Sequence, residues 1–298
     1  MKIVVLGGRG MLGHKLFHTL IEAFPDTICT VSGRLDRERY QSIGLFRRGE
    51  VIENLDAMNT EAVRDVLRHA QPDYVINCVG VIKQRPEAQA PIPSVQINSL
   101  LPHVLAHWAS EWGGRLIHFS TDCVFSGRRG LYTESDFSDA EDLYGRSKYL
   151  GEVAAENALT LRTSIIGREL DHFASLLEWF LRSEAPVIRG YTRSIYAGVT
   201  TNELARVVRW LIEEHPQLSG LYQVVSTSIT KYDLLLKINA AFGRNIEITP
   251  DDREVCDRSM SGAKFQAATG YESPRWDDLV RDLALDPIPY DRMELQQP

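Results

Sequence analysis

The sequence predicts an α/β chain, a doubly wound parallel sheet with helices on both faces, followed by a smaller C-terminal lobe. Three observations predict it. Apolar runs alternate with helix-patterned stretches over residues 1–164. Several of those runs are continuously apolar, as strands covered on both faces are. A glycine-rich turn, "GGRGMLG" (residues 7–13), joins the first run to the first helix. The 298 residues, 44% of them hydrophobic, are enough for one large α/β domain or for such a domain with an added lobe.

In chain order, Ile3–Leu6 reads as a strand. Residues 11–24 read as a helix through Leu12, Leu16, Leu20 and Phe24, stopped by Pro25. A second strand follows at 27–31, a helix at 61–69 closed by Pro72, and a fully apolar strand at 74–78. Residues 94–112 are patterned as a helix, 116–120 as a strand, 143–157 as a helix and 159–163 as a strand. This alternation is that of a parallel sheet. Past 164 the rhythm loosens, with helices expected at 173–182, 202–214, 232–242 and 276–285, and a strand at 221–225. Gly243 is expected to stop the helix before it. The division predicted is a dinucleotide-binding domain over 1–164 and a substrate lobe over 165–298, with some segments returning to the main sheet.

Composition narrows the function. Lysine and arginine number 33 against 40 acids, a net charge of −7, and no basic run could track a phosphate backbone, so no nucleic-acid partner is expected. No apolar stretch approaches the roughly 20 residues of a membrane span, and a first strand at Ile3 leaves no room for a signal peptide, so a cytoplasmic protein without membrane contact is expected. Cys29, Cys78, Cys123 and Cys256 are scattered without metal or disulfide spacing and are expected to be reduced structural thiols. His14 and His18, and His103 and His107, stand four apart, but no third ligand accompanies either pair and no metal is expected.

Glycine costs about 0.5–1 kcal/mol relative to alanine in regular structure, so a cluster marks positive φ or close approach. Between a first buried strand and a first helix, such a turn lets backbone amides and the positive helix end face a pyrophosphate. The stretch fits G-x-G-x-x-G through Gly8, Gly10 and Gly13, and equally G-x-x-G-x-x-G through Gly7, Gly10 and Gly13; Arg9, Met11 and Leu12 complete it. At the end of the second strand an acid would bond the ribose of NAD. Residues 30–34 read Thr-Val-Ser-Gly-Arg, without an acid. Ser32 and Arg34, with Arg9 in reach, suit a 2′-phosphate, which favours NADP(H) over NAD(H).

Tyr144 and Lys148 stand four apart at the start of a predicted helix, on one face. A phenol of pKa about 10 works at neutral pH only with help, and a lysine one turn away is placed to stabilise its charged form. Thr121, at the end of the strand at 116–120, lies where parallel sheets put their ligands. Its hydroxyl and that of Tyr144 are suited to bond one carbonyl oxygen.

With "FSTDCVFSGRRGLYTESD" (119–136), "YGRSKYLGE" (144–152) and "LRTSIIG" (161–167), the chain resembles the extended short-chain dehydrogenase/reductases, and within them the dTDP-4-dehydrorhamnose reductase group. The resemblance implies a Rossmann-type fold and a catalytic triad of Thr121, Tyr144 and Lys148. Tyr144 would donate a proton to a sugar oxygen while NADPH reduces a 4-keto carbon, in deoxysugar and polysaccharide biosynthesis. It further implies cofactor contacts from Asp56, on the adenine side, from Asn77, Cys78, Val79 and Gly80 beneath the cofactor, and from Lys148 to the ribose. Substrate contacts are implied for Lys83, Asp122, Cys123 and Arg193, with Arg182 and Arg189 as further candidates for a nucleotide diphosphate. A homodimer is compatible with it. Cys123 replaces the tyrosine usual in the group, and the stretch "YTRSIYAGVTTNELA" (191–205) is closer to relatives acting on UDP- or dTDP-linked deoxysugars. A 4,6-dehydratase or epimerase with bound NAD would share fold and triad, but dehydratases carry glutamate where Cys123 stands. The third alternative is non-catalytic, since the regulatory subunit of methionine adenosyltransferase resembles the same group.

Overall fold

The computed structural model describes residues 1–82 and 89–290, the Arg39 side chain excepted. The chain opens with β1 (Ile3–Leu6), buried at every residue, and passes through the glycine turn into α1 (Gly13–Ala23). Next come β2 (Thr27–Thr30), α2 (Glu38–Ser42), β3 (Glu50–Ile52), α3 (Thr60–Ala70) and β4 (Tyr74–Asn77). α4 (Pro91–Pro93), a π-helical run Ser94–Leu100 and α5 (Leu101–Ser110) form one continuous helical stretch, followed by β5 (Arg115–Thr121), α6 (Leu143–Leu150) and β6 (Ala158–Thr163). Then follow β7 (Ile165–Ile166), α7 (Leu176–Leu181), β8 (Val187–Tyr191), β9 (Ser194–Tyr196), β10 (Val199–Thr200), α8 (Thr201–Glu214) and β11 (Gly220–Gln223). The last elements are β12 (Ile229–Thr230), α9 (Lys231–Ala241), β13 (Glu247–Asp251), β14 (Cys256–Asp257), α10 (Ala263–Thr269) and α11 (Trp276–Ala284).

Seven strands make the main sheet in the order β11-β6-β5-β4-β1-β2-β3, every pairing parallel. The fold is Rossmann-like. Strand order reverses between β1 and β4, so the crevice at their C-terminal ends is where such a sheet holds a ligand. Alternate side chains serve opposite layers. Ile3, Val5, Ile76, Ile117 and Leu159 pack with Leu16 and Leu20 of α1 and with Leu204, Val208 and Leu211 of α8. Val4, Leu6, Val75 and Leu116 face Val63 and Leu67 of α3 and Leu101 and Leu105 of α5. Thus α8 and β11, from beyond residue 164, complete the main sheet and one of its covers. A separate core gathers Leu177, Phe180, Ile188, Leu234, Ile238, Ile248, Trp276 and Leu279 in the C-terminal lobe. Among the described residues no helix is long and apolar enough to cross a membrane.

One predicted element is corrected. The helix expected over 143–157 ends at Leu150. A Cβ on Gly151 would overlap the Asn98 carbonyl, so the chain passes against the π-helical run there. Beyond it Val153 bonds through both N–H and C=O to the Thr160 hydroxyl, which replaces the helical partners. Elsewhere Gly243 (φ +61°) closes α9 in the left-handed conformation, as its place in the sequence predicts.

Because α8 covers the sheet, Leu204→Ala should cost about 2–5 kcal/mol, as a core truncation in α1 such as Leu16→Ala does. Urea unfolding of both variants checks this; a cost below about 1 kcal/mol for Leu204→Ala would mean that α8 is dispensable to the sheet.

Candidate active site

The glycine turn shows why each glycine stands where it does. Gly7 has φ +84°. A Cβ on Gly8 would overlap the Cys29 sulfur, and one on Gly13 the Gly7 carbonyl. These three glycines serve the protein's own packing, and because the Gly7 carbonyl also accepts from Gly10 N–H, the G-x-x-G-x-x-G spacing describes the turn. Gly10 is different: its nearest neighbour would be the Gly7 carbonyl at 3.3 Å, and space lies beyond. α1 begins without a side-chain cap and without an acid in its first turn, whereas α3, α6, α8 and α9 are all capped by side chains. A long helix with free N-terminal amides beside an open glycine fits a diphosphate.

Opposite this turn, at the end of β4, Cys78 N–H bonds to the Leu6 carbonyl and Asn77 Oδ1 accepts from Val79 N–H. The Cys78 carbonyl lies 3.2 Å from where a Cβ on Gly7 would be, so the two turns wall one crevice. Asn98, in the π-helical run, brackets Val81: Oδ1 accepts from its N–H and Nδ2 donates to its carbonyl, at 2.9 and 3.0 Å. The same Nδ2 donates to Ser147 Oγ in α6. One asparagine therefore ties the floor of the crevice to the helix of Tyr144 and Lys148.

At the end of β2, Arg9 reaches across, and a Cβ on Gly33 would lie 2.8 Å from its Nη1. Its Nε and Nη2 donate to Asp171 Oδ2 at 2.8 and 2.7 Å, and its guanidinium lies 5.0 Å over the Tyr40 ring. Tyr40 Oη donates to the other oxygen of Asp171. The stretch that lacks an acid in sequence is thus supplied with one in space, from the segment after β7. Ser32 is exposed, and Arg34 pairs with Asp36 at 3.3 Å, both well exposed.

The Thr121 hydroxyl lies close enough to the Tyr144 phenol to favour its charged form, but burial outweighs this and raises the phenol above its ordinary value. Thr121 Oγ1 donates to Asp122 Oδ1 and accepts from Cys123 N–H. Asp142 caps the helix by accepting from Gly145 N–H at 2.7 Å, which fixes the rotation that presents Tyr144. Lys148 departs from the expectation. Its Nζ donates to the Phe119 carbonyl at 2.6 Å rather than to Tyr144, and burial brings its pKa down to about 8. Tyr144 is therefore held as the neutral phenol, and no depression by Lys148 is found.

Below this cluster a buried ion pair anchors the helix end. Arg162 Nε and Nη2 donate to the two oxygens of Glu152 at 2.8 and 2.6 Å, and Ser120 Oγ donates to Glu152 as well. Arg162 also lies 4.9 Å over the Phe125 ring, which stacks on Tyr132 at 4.1 Å.

Residues 1–284 match the model of the family described as RmlD substrate binding domain. The chain belongs to that family. It is 26% identical over 255 residues to methionine adenosyltransferase 2 subunit beta of Danio rerio, covering 81% of this chain and 74% of that one. To dTDP-4-dehydrorhamnose reductase of Escherichia coli K12 it is 27% identical over 186 residues, 59% and 62% of the two chains. The solved dTDP-4-dehydrorhamnose reductase of Bacillus anthracis, in complex with NADP, superposes with a TM-score of 0.75 over 96% of this chain and 99% of that one, at 20% identity. Oxidoreductases are thus among its relatives.

Other positions singled out in the sequence of this RmlD-family chain fall variously. Asp56 accepts from Met58 N–H in a turn whose Leu55 N–H bonds the end of β2, beside the Arg9 site. Arg182 is engaged with Glu178 and lies 3.7 Å over the Phe173 ring, and Arg189 and Arg193 are exposed on and after β8. Lys83 lies outside the described residues. His14 bonds Gly10 and Tyr290, His103 bonds the Leu150 carbonyl, and His107 is 3.9 Å from Glu111, so the histidine pairs serve separate partners. Sequence reading missed Asn98, Glu152, Arg162 and Asp171, whose roles come only from folding distant segments together.

Two outcomes follow from the buried charges. Glu152→Leu strands Arg162 and should cost about 3–5 kcal/mol, while Glu152→Leu with Arg162→Met should recover at least half of that in urea titrations. Lys148, at about 8 when folded against 10.5 ordinarily, binds fewer protons in the fold than in the unfolded chain between those values. Stability relative to Lys148→Met should therefore rise with pH across that window, by on the order of 3 kcal/mol, and stay flat below it. Thermal melts of both proteins at pH 7 and 10 read the difference.

Proposed function

We propose that this chain is an NADPH-dependent reductase of the 4-keto group of a nucleotide-linked 4-keto-6-deoxyhexose. The observation that carries the reading is the Thr121–Tyr144 hydroxyl pair, set over the crevice between the glycine turn and the turn at 77–80. Reduction of a ketone needs a proton for the developing alkoxide, and a phenol raised by burial holds that proton through the neutral range. Thr121 would share the oxygen, orienting the carbonyl. Lys148, one turn on, would contact the ribose of a nicotinamide cofactor, which when bound supplies the hydride. Free amides at the start of α1 and the open space at Gly10 suit the diphosphate; Arg34, exposed after β2, would meet a 2′-phosphate together with the edge of Arg9 that Asp171 does not occupy. Solved structures of Bacillus anthracis enzymes with this fold hold NADP in one case and NAD in another, which supports a nicotinamide cofactor.

One observation keeps a second reading alive: the relative matching over the larger share of this chain is a methionine adenosyltransferase subunit. In that case the site would bind nucleotide without turnover.

With a dTDP-linked 4-keto-6-deoxyhexose the protein should consume NADPH one for one at 340 nm. Tyr144→Phe should lose on the order of 10²-fold or more in kcat with NADPH affinity nearly unchanged. Turnover within threefold of the parent would remove Tyr144 as the proton donor, and no turnover by the parent on any such sugar would favour the non-catalytic reading.

For the cofactor, NADPH should bind at least about tenfold more tightly than NADH. Arg34→Ala and Arg9→Ala should each narrow that gap while leaving NADH affinity almost unchanged. Fluorescence titration of both cofactors checks this, and equal affinities in the parent would reject the 2′-phosphate assignment.

A further inference from the structure

Beyond α11 the chain returns to the glycine turn at the opposite end of the sequence. Asp286 Oδ2 accepts from Lys15 Nζ at 2.7 Å, with both side chains buried, and Asp286 Oδ1 accepts from Ile288 N–H at 3.0 Å, which fixes the path of the segment. Tyr290 Oη lies 2.7 Å from His14 Nε2, and His14 Nδ1 lies 2.8 Å from the Gly10 carbonyl. A carbonyl only accepts, so Nδ1 carries the ring hydrogen. Burial keeps the ring neutral, bringing its pKa down to about 4, so Nε2 accepts and the Tyr290 hydroxyl donates. The bonds from Tyr290 through His14 to Gly10 therefore run in one direction, from the C-terminal segment into the glycine turn.

Each contact supplies something that the residues around the turn lack. α1 carries Lys15 in its first turn and no acid there, and a cation at that end opposes the helix dipole. Asp286 brings the negative charge from 271 residues away. His14 is fully buried, and a buried ring nitrogen left unpaired is costly. Around these bonds Ile288 and Tyr290 pack with Phe17 and Ile21 of α1, with Cys29 of β2 and with Val31 just after it. Cys29 is the side chain that leaves no room for a Cβ on Gly8. Arg168 closes the other side, its guanidinium 4.7 Å over the Tyr290 ring. The segment thus reaches the glycine turn by hydrogen bonds at Gly10 and by packing behind Gly8, while the space beyond Gly10 stays open.

We infer that residues 286–290 are a positioning element of the dinucleotide site: by holding Lys15 and His14, Asp286 and Tyr290 keep the glycine turn and the first turn of α1 in the arrangement that receives the cofactor. This rests on the nicotinamide-cofactor reading, and it adds to that reading a part of the chain that no glycine motif marks. Asp286 and Tyr290 act through Lys15 and His14 and need not touch the cofactor. Segment and cofactor favour the same form of the turn, so the coupling is reciprocal: whatever factor docking of the segment adds to cofactor affinity, bound cofactor adds to docking. The glycine turn serves the part that NADPH and NADH have in common, so the effect falls on both alike and is separate from the 2′-phosphate assignment.

Fluorescence titration of NADPH and NADH into the parent, Tyr290→Phe and Asp286→Asn measures one half of the coupling. Phenylalanine keeps the ring under Arg168 and loses the bond to His14, while asparagine keeps an oxygen for Ile288 N–H and loses the charge opposite Lys15. Each variant should weaken both cofactors by about 5- to 50-fold, with the ratio of the two affinities within about twofold of the parent's. Hydrogen exchange measures the other half on the parent alone, so it decides the matter even where a variant fails to fold. Saturating NADPH should slow exchange of the Ile288 and Tyr290 amides by a factor similar to the loss in affinity. Cofactor affinities within about twofold of the parent in both variants overturn the inference, even where the melting temperature falls, and so does exchange at 288 and 290 that saturating cofactor leaves unchanged. Either result leaves the nicotinamide reading standing. A loss confined to NADPH overturns the positioning role in favour of an effect at the 2′-phosphate. A parent that binds neither cofactor overturns the reading and the inference together.

Discussion

The bidentate pair between Glu152 and Arg162 is the contact on which the catalytic half of the molecule depends. Both side chains are buried, Arg162 to 1% exposure, and a buried ion pair repays its desolvation only with close geometry and further hydrogen bonds. Here a third bond to Glu152 comes from Ser120, the residue before Thr121, while Arg162 Nη1 is left without a hydrogen bond among the described residues. The pair therefore sets three things at once: how far β6 lies from β5 at their C-terminal ends, where the chain goes after Lys148, and how Thr121 is presented. Phe125, lying over the Arg162 guanidinium, extends the same constraint into the loop that carries Arg258.

That dependence explains which parts could be read from the sequence. β1, the glycine turn and α1 are contiguous, so composition and spacing disclose them, and Tyr144 and Lys148 are disclosed by a spacing within one helix. The seven-residue π run is not, because nothing in "SVQINSL" distinguishes it from the helical pattern on either side. Nor is the end of α6 at Leu150, since it follows from a backbone meeting between Gly151 and Asn98, more than fifty positions apart. β3 escaped notice because only three residues pair, none of them buried.

The charges near the crevice teach the same lesson more sharply. Residues 30–34 contain no acid, yet Asp171 arrives there from the segment after β7 and occupies one edge of Arg9. A residue's absence from a motif window says nothing about what a later loop delivers. Likewise the arginines that the sequence offered for a diphosphate are exposed or engaged elsewhere.

The position of β11 in the sheet has a consequence for how the chain is made. It is the neighbour of β6, yet it is synthesised some sixty residues later, after α8. A ribosome that has released only the first 200 residues has released a sheet with one apolar face covered by α1 but not yet by α8, and with the β6 edge open to pairing. Such a species is prone to capture by other strands. The nucleotide-binding half of the sequence therefore has to wait, unprotected, for its last helix and strand, and any pause in translation between residues 165 and 223 lengthens that exposure.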